Sequence, residues 1–120
     1  MRSVILISPS DKEVSHLFQQ WENKATNIYV DCEKLNMVIN GGSIYIDYCK
    51  DGDFYYEEGE LVNVDIDTPS FYAISYSKRD MMKYFIQNSV FSEGSFMDND
   101  SGKIMRVDEL RKEDILNFIQ

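Results

Sequence analysis

The sequence predicts an α+β fold, a central antiparallel β-sheet meander with two or three helices packed on it. Two segments carry apolar residues at helical spacing, and about 50 residues between them alternate between apolar and polar types, as the strands of a half-buried sheet do. Short turns rich in Gly, Asn and Asp separate the alternating runs. The 120-residue chain is 43% hydrophobic and has no linker or internal repeat, so we expect a single domain over residues 1–120.

The first two elements are predicted to be a strand and a helix. Residues 3–8 form a β-branched apolar run that Pro9 ends, and apolar side chains on both faces are typical of a central strand. Ser10 and Glu13 have the spacing of a capping box, so we expect a helix to begin there. His16 lies off the apolar side of this helix and is expected at the surface, with no acid or thiol placed to make it a base. The apolar positions that predict the helix are Val14, Leu17, Phe18 and Trp21.

The alternating stretch is predicted to be a series of antiparallel strands joined by short turns. The predicted strands cover residues 27–31, 35–40, 43–49, 54–57 and 61–66. The predicted turns are Gly41-Gly42, residues 50–53 and Glu58-Gly59. Acidic residues fall at the turns and on the polar face, so their charge is compatible with a sheet that buries its opposite face.

The last part of the chain is predicted to contain a strand, a helix, a hairpin and a final helix. Ser77 and Asp80 have the capping-box spacing at the start of the second helix. The apolar side of that helix consists of Met81, Met82, Phe85 and Ile86. The predicted strands are residues 71–76, 95–98 and 103–107, the last two joined by a turn at 99–102. The final helix is predicted over residues 112–119, with Ile115, Leu116 and Ile119 facing inward.

Negative charge is concentrated in residues 47–67. Eight acidic residues and one lysine give this stretch a net charge of −7, out of −9 for the whole chain. The aromatic residues in or beside it are Tyr45, Tyr48, Phe54, Tyr55 and Tyr56. Acidic groups beside large aromatic surfaces suit the binding of a cationic partner, whereas a solvated hairpin beside an aromatic core would have the same composition.

The residues that catalysis, metals or cofactors require are sparse. The chain has one histidine and no glycine-rich phosphate loop, so we predict that it is not an enzyme and uses no cofactor. One histidine and the lack of a Cys-x-x-Cys pair also argue against zinc. Asp98, Asp100 and Gly102 resemble the opening of a calcium-binding EF-hand loop, but the glycine comes one position early. No metal site is therefore predicted.

The sequence also restricts the compartment and the type of partner. The longest apolar run, residues 4–7, is too short to span a membrane, and no secretory signal is visible, so we expect a cytoplasmic protein without membrane contact. Cys32 and Cys49 are expected to be two buried thiols rather than a disulfide. The net charge of −9 argues against direct binding of nucleic acid, because phosphate binding needs a basic surface.

Three features carry a resemblance to a known class of proteins. The first is a short chain of acidic composition, and the second is the glycine hairpin at residues 40–46. The third is the strand–helix–strand arrangement of residues 71–96, in which residues 75–86, SYSKRDMMKYFI, contain the helix. This layout resembles that of small immunity proteins of bacterial contact-dependent-inhibition and polymorphic-toxin systems. The resemblance implies a cytoplasmic protein that binds and neutralises a cognate toxin domain, often a nuclease.

A physical argument leads to the same type of partner. A nuclease is basic where it holds phosphates, so a chain with −7 in one stretch would be steered onto it and could place carboxylates where phosphates bind. The predicted contact residues are Asp47, Asp51, Asp53, Tyr55, Tyr56, Glu57, Glu58 and Glu60. Two alternatives are open. One is a DNA-mimic or regulatory adaptor that blocks a nucleic-acid-binding protein, and the other is a structural subunit that associates through Tyr72 or Tyr76 on an edge strand.

Overall fold

A computed structural model describes residues 2–49, 56 and 59–119 of the chain. Within these ranges lie seven strands, all in one sheet, and four helices, so the predicted α+β fold is confirmed. The strands are β1 (Arg2–Ser8), β2 (Asn27–Asp31), β3 (Lys34–Ile39), β4 (Gly42–Cys49), β5 (Ser70–Tyr76), β6 (Phe96–Asp98) and β7 (Ile104–Arg106). The helices are α1 (Glu13–Trp21), α2 (Arg79–Asn88), α3 (Val107–Leu110) and α4 (Ile115–Ile119). Apart from Tyr56, the turn predicted at 50–53 and the strand predicted at 54–57 lie outside the described residues.

The strands are ordered β2-β3-β4-β5-β1-β6-β7 and every neighbouring pair is antiparallel. Of the predicted meander, the structure contains the strands β2, β3 and β4; β5, which was predicted as a separate strand after the meander, pairs with β4. β1 lies between β5 and β6, which confirms its predicted central position. Its apolar residues are buried on both faces of the sheet, Val4 and Leu6 on one and Ile7 on the other.

One face of the sheet carries the helices and the main core. Trp21 of α1 and Phe85 of α2 pack together with their ring centroids 5.7 Å apart. Tyr72 and Tyr76 of β5 are buried in this core, so the prediction that either would be exposed on an edge strand is wrong. The alternating positions of β3 and β4 that face the helices are buried as predicted, and they are Leu35, Met37, Ile39, Ile44 and Ile46.

The opposite side of the sheet, which we call the open face, carries the side chains of Tyr29, Asn36, Tyr45, Asp47 and Asp98. At one end it holds a second, smaller apolar cluster formed by Ile7, Phe71 and Phe96. The side chains that pack over this cluster include Tyr56, Leu61, Val64 and Ile66. The open face is therefore covered at this end by the chain between β4 and β5, and the tyrosines of β2 and β4 stay exposed.

Residues 61–66 do not form the predicted strand. The chain turns at Gly59, whose φ is 92°, and the N–H of Val64 donates to the carbonyl of Leu61 at 2.9 Å, as in a turn. Leu61, Val64 and Ile66 reach the smaller cluster, while Val62 is exposed. The buried residues of this segment are thus spaced three and then two positions apart. The alternating pattern in the sequence cannot distinguish such an irregular segment from a strand.

Neither predicted capping box forms, because both serines bond elsewhere. The two longer helices begin without a side-chain cap. Ser10 Oγ accepts a hydrogen bond from the N–H of Lys12 at 3.0 Å. Ser77 Oγ accepts one from the N–H of Ser43 at 2.8 Å and so joins the chain before α2 to the start of β4.

Glu13, the predicted capping partner of Ser10, is instead fully buried. Its carboxylate accepts hydrogen bonds from the hydroxyl and the N–H of Ser92, the latter at 3.4 Å. Nδ1 of His16 lies 3.6 Å from Oε1 of Glu13. His16 is exposed as predicted, but the expectation that no acid lies close to it is wrong.

Both tight turns of the meander contain residues with positive φ. Asn40 (φ 50°) and Gly41 (φ 77°) form the turn between β3 and β4, so the predicted pair Gly41-Gly42 is wrong by one position. This is the backbone that an Asn-Gly hairpin turn requires. Cys32 (φ 52°) follows β2 and is exposed, whereas Cys49 is half-buried. The two cysteines are not joined in a disulfide, but the predicted burial is wrong for Cys32 and only partly met for Cys49.

The C-terminal helix is shorter than predicted and follows another short helix. α4 begins at Ile115 rather than residue 112, and α3 precedes it directly after β7. Arg79 Nη2 donates to the carbonyl of Leu116 at 2.8 Å, which attaches α4 to α2. Phe118 is buried with Ile115 and Ile119, a core position that the sequence pattern did not identify. No helix in the described ranges is long and apolar enough to cross a membrane.

Candidate functional site

The structure describes three of the eight predicted contact residues. Asp47, Tyr56 and Glu60 are among the described residues, and all three lie on or beside the open face. The remaining five predicted contacts lie outside the described residues, and they are Asp51, Asp53, Tyr55, Glu57 and Glu58. The candidate site therefore comprises Asp47, Tyr56 and Glu60 and the residues that surround them.

Asp47 lies in the middle of the open face. It is on β4, opposite Lys34 of β3 and Ala73 of β5. Its Oδ1 is 3.9 Å from Nζ of Lys34, and both side chains are more than half exposed. An exposed ion pair of this length contributes little to stability, because water and salt screen it. Its carboxylate remains accessible to a cation from outside.

Tyr56 is fixed in place rather than free on the surface. Its hydroxyl donates a hydrogen bond to Oδ2 of Asp98 at 2.8 Å, and its ring lies 5.3 Å from that of Phe71. Burial, followed by the hydrogen bond to Asp98 and that residue's negative charge, raises the pKa of the Tyr56 phenol. The phenol therefore stays neutral and continues to donate to Asp98 throughout the physiological range.

An acidic cavity of about 460 Å³ opens beside Tyr56. Asp98 is only 8% exposed at its edge, and its Oδ1 accepts the N–H of Asp100 at 2.8 Å. Glu60 and Asp100 are exposed at the rim. The described lining consists of Ile5, Tyr56, Glu60, Asp98, Asp100, Gly102 and Ile104. The cavity thus combines apolar walls with three carboxylates, a composition that suits the stem and charged head of a lysine or arginine side chain.

Sequence reasoning did not assign Asp98 and Asp100 to this surface. Their spacing was noticed only as an incomplete calcium loop, and within the described ranges no group of three His, Cys, Asp or Glu side chains is arranged to hold a metal ion. Strand pairing brings them there: Asp98 and Ile104 occupy the same row across the sheet as Ile5 and Asp47, a register that no local sequence signal indicates. Three strand spacings separate Asp47 from Asp98, or about 14 Å.

The exposed tyrosines lie one row further along the open face. Tyr29 of β2, Asn36 of β3 and Tyr45 of β4 are neighbours in this row. Tyr29 is 61% exposed and Tyr45 41% exposed. Tyr45 stood beside the predicted contacts in sequence, but Tyr29 is 16 positions earlier and entered the site only through strand pairing.

The open face therefore presents carboxylates and aromatic rings side by side on a rigid sheet. Carboxylates attract ammonium and guanidinium groups, and exposed tyrosines offer apolar area with a hydrogen-bonding tip. Such an arrangement is equipped to bind a cationic protein surface. The chain matches no protein-family model, no curated protein and no solved structure.

Proposed function

We propose that the chain is an immunity protein that binds and neutralises a cognate toxin domain in the cytoplasm. The partner proposed is a basic nuclease, and the open face is the surface that meets it. The observation that carries the proposal is the gathering of Asp47, Glu60, Asp100, Tyr29 and Tyr45 on or beside the side of the sheet opposite the helices. These residues come from separate parts of the chain, and the fold brings them to one surface.

Charge complementarity supports a basic partner. The chain carries a net charge of −9, and residues 47–67, which contribute −7 of it, begin at Asp47 on the open face. A cationic nuclease would be attracted before contact, and its association rate would fall as salt is added. Carboxylates at the surface can then occupy the positions that substrate phosphates take in the toxin.

The exposed tyrosines supply what charge alone does not. Rim charges increase association rates more than they slow dissociation, and tight complexes depend on buried aromatic anchors. Tyr45 and Tyr29 are two strands apart on the same row, so together with Asn36 they form one continuous contact area. We expect Tyr45 to be the anchor closest to the acids, since Asp47 is two residues further along the same strand face.

The first experiment uses the protein encoded directly upstream, where a toxin gene lies in such systems. A variant with Asp47→Asn, Glu60→Gln and Asp100→Asn removes three charges from the open face while keeping size and polarity. We expect its association with the toxin to slow by about tenfold at low salt, with little change in dissociation. The matched control is Glu22→Gln, Glu109→Gln and Glu113→Gln, which removes three exposed charges from the helix side.

Equal association rates for the two triple variants would contradict the assignment of the open face. Failure of the wild type to bind or protect against the upstream protein would contradict the proposed function itself. Protection that instead involves a nucleic-acid-binding protein encoded elsewhere would favour the DNA-mimic alternative. Reversing the charge of Glu57, Glu58 and Glu60 extends the test to the acidic stretch, where unchanged protection would remove that stretch from the site.

The contribution of the aromatic rings has its own test. Tyr45→Ala removes an exposed ring from the open face, and we expect the toxin complex to dissociate at least about tenfold faster. Tyr84→Ala is the control, because Tyr84 is 40% exposed, close to the value for Tyr45, but lies on α2. Stopped-flow association and surface-plasmon dissociation measurements separate the two rates. Equal effects of the two substitutions would show that Tyr45 is not an anchor.

A further inference from the structure

The two edges of the sheet are protected to different degrees. β7 has three residues and runs directly into α3. β2 has five residues, Asn-Ile-Tyr-Val-Asp, and within the described ranges it pairs only with β3. Natural edge strands are usually blocked by proline, lysine, a bulge or a covering loop. β2 contains neither proline nor lysine, and its only charged residue is Asp31 at the end.

The side chains of β2 are also exposed to an unusual degree for their chemistry. Tyr29 is 61% exposed on the open face, and Val30 is 37% exposed on the helix side. Ile28, on the same side as Val30, is only partly buried. Tyrosine, valine and isoleucine are favoured in paired strands, where neighbouring side chains cover them. Among the described residues, this edge therefore has both backbone that no strand pairs with and uncovered apolar area.

β2 is complementary to itself under a two-fold axis at Tyr29. In an antiparallel pair centred there, Tyr29 faces Tyr29 of the second copy and Ile28 faces Val30 of the second copy. Asn27 faces Asp31 of the second copy, so an amide donor meets a carboxylate acceptor. No two like charges are directly opposite, which would be destabilising, and every apolar side chain has an apolar or aromatic neighbour. This register needs no change in the conformation of either strand.

We propose that the chain forms a two-fold symmetric homodimer in which β2 pairs antiparallel with β2 of a second copy. The sheet then continues from one protomer into the next, with no free edge at β2. The row of Tyr45, Asn36 and Tyr29 runs without a break into Tyr29, Asn36 and Tyr45 of the second copy. The two open faces lie on the same side of this extended sheet, so one dimer presents two adjacent binding surfaces.

A second copy is favoured over a strand from another protein because the complementarity is contained in β2 itself. A basic toxin strand would place cations beside Asp31 only, since the other four residues of the strand are uncharged. Two chains of −9 repel each other, so added salt strengthens this dimer. Salt weakens the complex with a basic toxin, so the two associations respond in opposite directions and can fail independently.

The first test is the mass of the purified protein by sedimentation between about 5 and about 500 μM, a range that covers weak interfaces of this size. We expect the weight-average mass to rise from the 14.0 kDa of one chain towards twice that value, and to rise earlier at higher salt. Tyr29→Lys places two ammonium groups opposite each other at the two-fold axis. It should raise the concentration at which half of the chains are dimeric at least about tenfold. Val90→Lys is the control, since Val90 is 70% exposed but lies outside the sheet, beyond α2.

A wild type that stays at 14.0 kDa throughout this range overturns the proposal. So does a dimer that Tyr29→Lys leaves unchanged, because it must use another surface.

A second test reads the register by cross-linking. Residues directly opposite in an antiparallel pair have Cα atoms about 4.5–5.5 Å apart, which a disulfide spans. Tyr29→Cys, in a Cys32→Asn background that suits the positive φ at position 32, should oxidise to a covalent dimer through position 29. Tyr45→Cys in the same background is the control, because five strand spacings, about 24 Å, would separate the two copies of that position. Equal yields of covalent dimer from both variants overturn the proposed register.

Discussion

At the scale of single residues, the hydrogen bond between Tyr56 and Asp98 joins two distant parts of the chain. Tyr56 lies in the connection between β4 and β5, and Asp98 ends β6. Asp98 is almost completely buried, and its two oxygens accept from the Tyr56 hydroxyl and the Asp100 N–H. This arrangement holds Tyr56 of the β4–β5 connection against the open face and positions the wall of the cavity.

Tyr56→Phe removes the hydroxyl and leaves the ring against Phe71. The nearly buried Asp98 carboxylate loses one of its two donors, so we expect the free energy of unfolding to fall by about 1–2 kcal/mol. Urea denaturation measures the difference. Tyr84→Phe, on the exposed side of α2, is the control and should change stability by less than about 0.5 kcal/mol. A loss no greater than that of the control would mean that the bond contributes little to stability.

Residue-level prediction from the sequence identified most apolar side chains of the core but not the bonding partners of Ser10 and Glu13. The stripe of Val14, Leu17 and Trp21 is buried as predicted, because periodic burial depends only on the element that carries it. Glu13 was predicted to cap α1, but it is bonded to Ser92, which is 79 positions away in the chain. A local spacing rule cannot weigh a partner that only the tertiary fold brings near.

At the scale of elements, the β3–β4 hairpin is fitted closely to α2. Asn40 and Gly41 make the turn, and Gly42 then passes directly over the side chain of Met81. A Cβ atom added at Gly42 would lie 2.9 Å from both Cγ and Cε of Met81 and 3.0 Å from its Cβ. The φ angle of Gly42 is not positive, so its backbone conformation does not require glycine. Glycine is required here because the strand passes so close to the helix that a Cβ atom has no room.

Gly42→Ala should therefore destabilise the protein by about 1–3 kcal/mol through overpacking. Met81→Ala alone should also destabilise it, since Met81 is buried, but it opens the space that the new methyl group needs. We expect the double variant to lose at least about 1 kcal/mol less than the sum of the two single losses. Chemical denaturation of the four proteins measures this coupling.

The control cycle pairs Gly42→Ala with Met82→Ala. Met82 is fully buried on the same helix, but it is not among the atoms nearest to Gly42. Its cycle should be additive within about 0.5 kcal/mol. Coupling of the same size in both cycles would mean that the effect comes from α2 as a whole rather than from the contact at Met81.

Strands were predicted correctly where the alternation of apolar and polar residues could arise only from a half-buried strand. β3 and β4 were predicted nearly to the residue, because apolar positions two apart faced one continuous core. Residues 61–66 showed a similar pattern, yet their side chains cover a three-residue cluster at the edge of the open face. Such a small apolar target can be reached by a bent chain. The turn between β3 and β4 was predicted one position too late for a similar reason. Both Asn40-Gly41 and Gly41-Gly42 fit a two-residue turn, and the sequence does not distinguish them.

At the scale of the whole molecule, three phenols connect the sheet to its surroundings. Tyr72 donates to the carbonyl of Ser10 at 2.6 Å, and Tyr76 donates to that of Ile119 at 2.8 Å. Tyr56 bonds to Asp98. Burial raises the pKa of all three phenols above the ordinary value near 10. The segment between β1 and α1, the helix α4 and Tyr56 of the β4–β5 connection are thus each attached through a neutral phenol.

This arrangement predicts a loss of stability at alkaline pH. Below about pH 10 the phenols are protonated in both the folded and the unfolded chain, so they add no pH dependence. Above it the unfolded chain releases protons that the folded chain retains, so stability falls as pH rises. The slope should approach about 1.4 kcal/mol per pH unit for each phenol that stays protonated in the folded chain while it ionises in the unfolded chain.

Urea denaturation from about pH 8 to about pH 11 measures this slope across the ordinary tyrosine pKa. Tyr72→Phe should make the slope shallower, whatever it does to stability at neutral pH. Tyr29→Phe removes an exposed phenol and should leave the slope unchanged. An identical slope in wild type and Tyr72→Phe would contradict the linkage.

The order of strands was beyond what the sequence could predict. The apolar faces of β1 indicate a central strand, and the antiparallel pairing of β2, β3 and β4 follows from two short turns, whereas residues 50–69 separate β4 from its neighbour β5. Nothing local indicates that β1 pairs with both β5 and β6, or that Tyr29 and Tyr45 share a row with Asn36. The acidic cavity was missed for the same reason, because Tyr56 and Asp98 meet only after β1 and β6 have paired.

The position of β1 also determines when folding can finish during synthesis. β1 leaves the ribosome well before its neighbours, β5 and β6, which end at Tyr76 and Asp98. Until then a β-branched, apolar segment without a pairing partner is exposed to other chains, which is the condition for aggregation and for chaperone binding. The hairpins of β2, β3 and β4 can form first, since their contacts are local. The centre of the sheet can therefore close only after β6 has been synthesised.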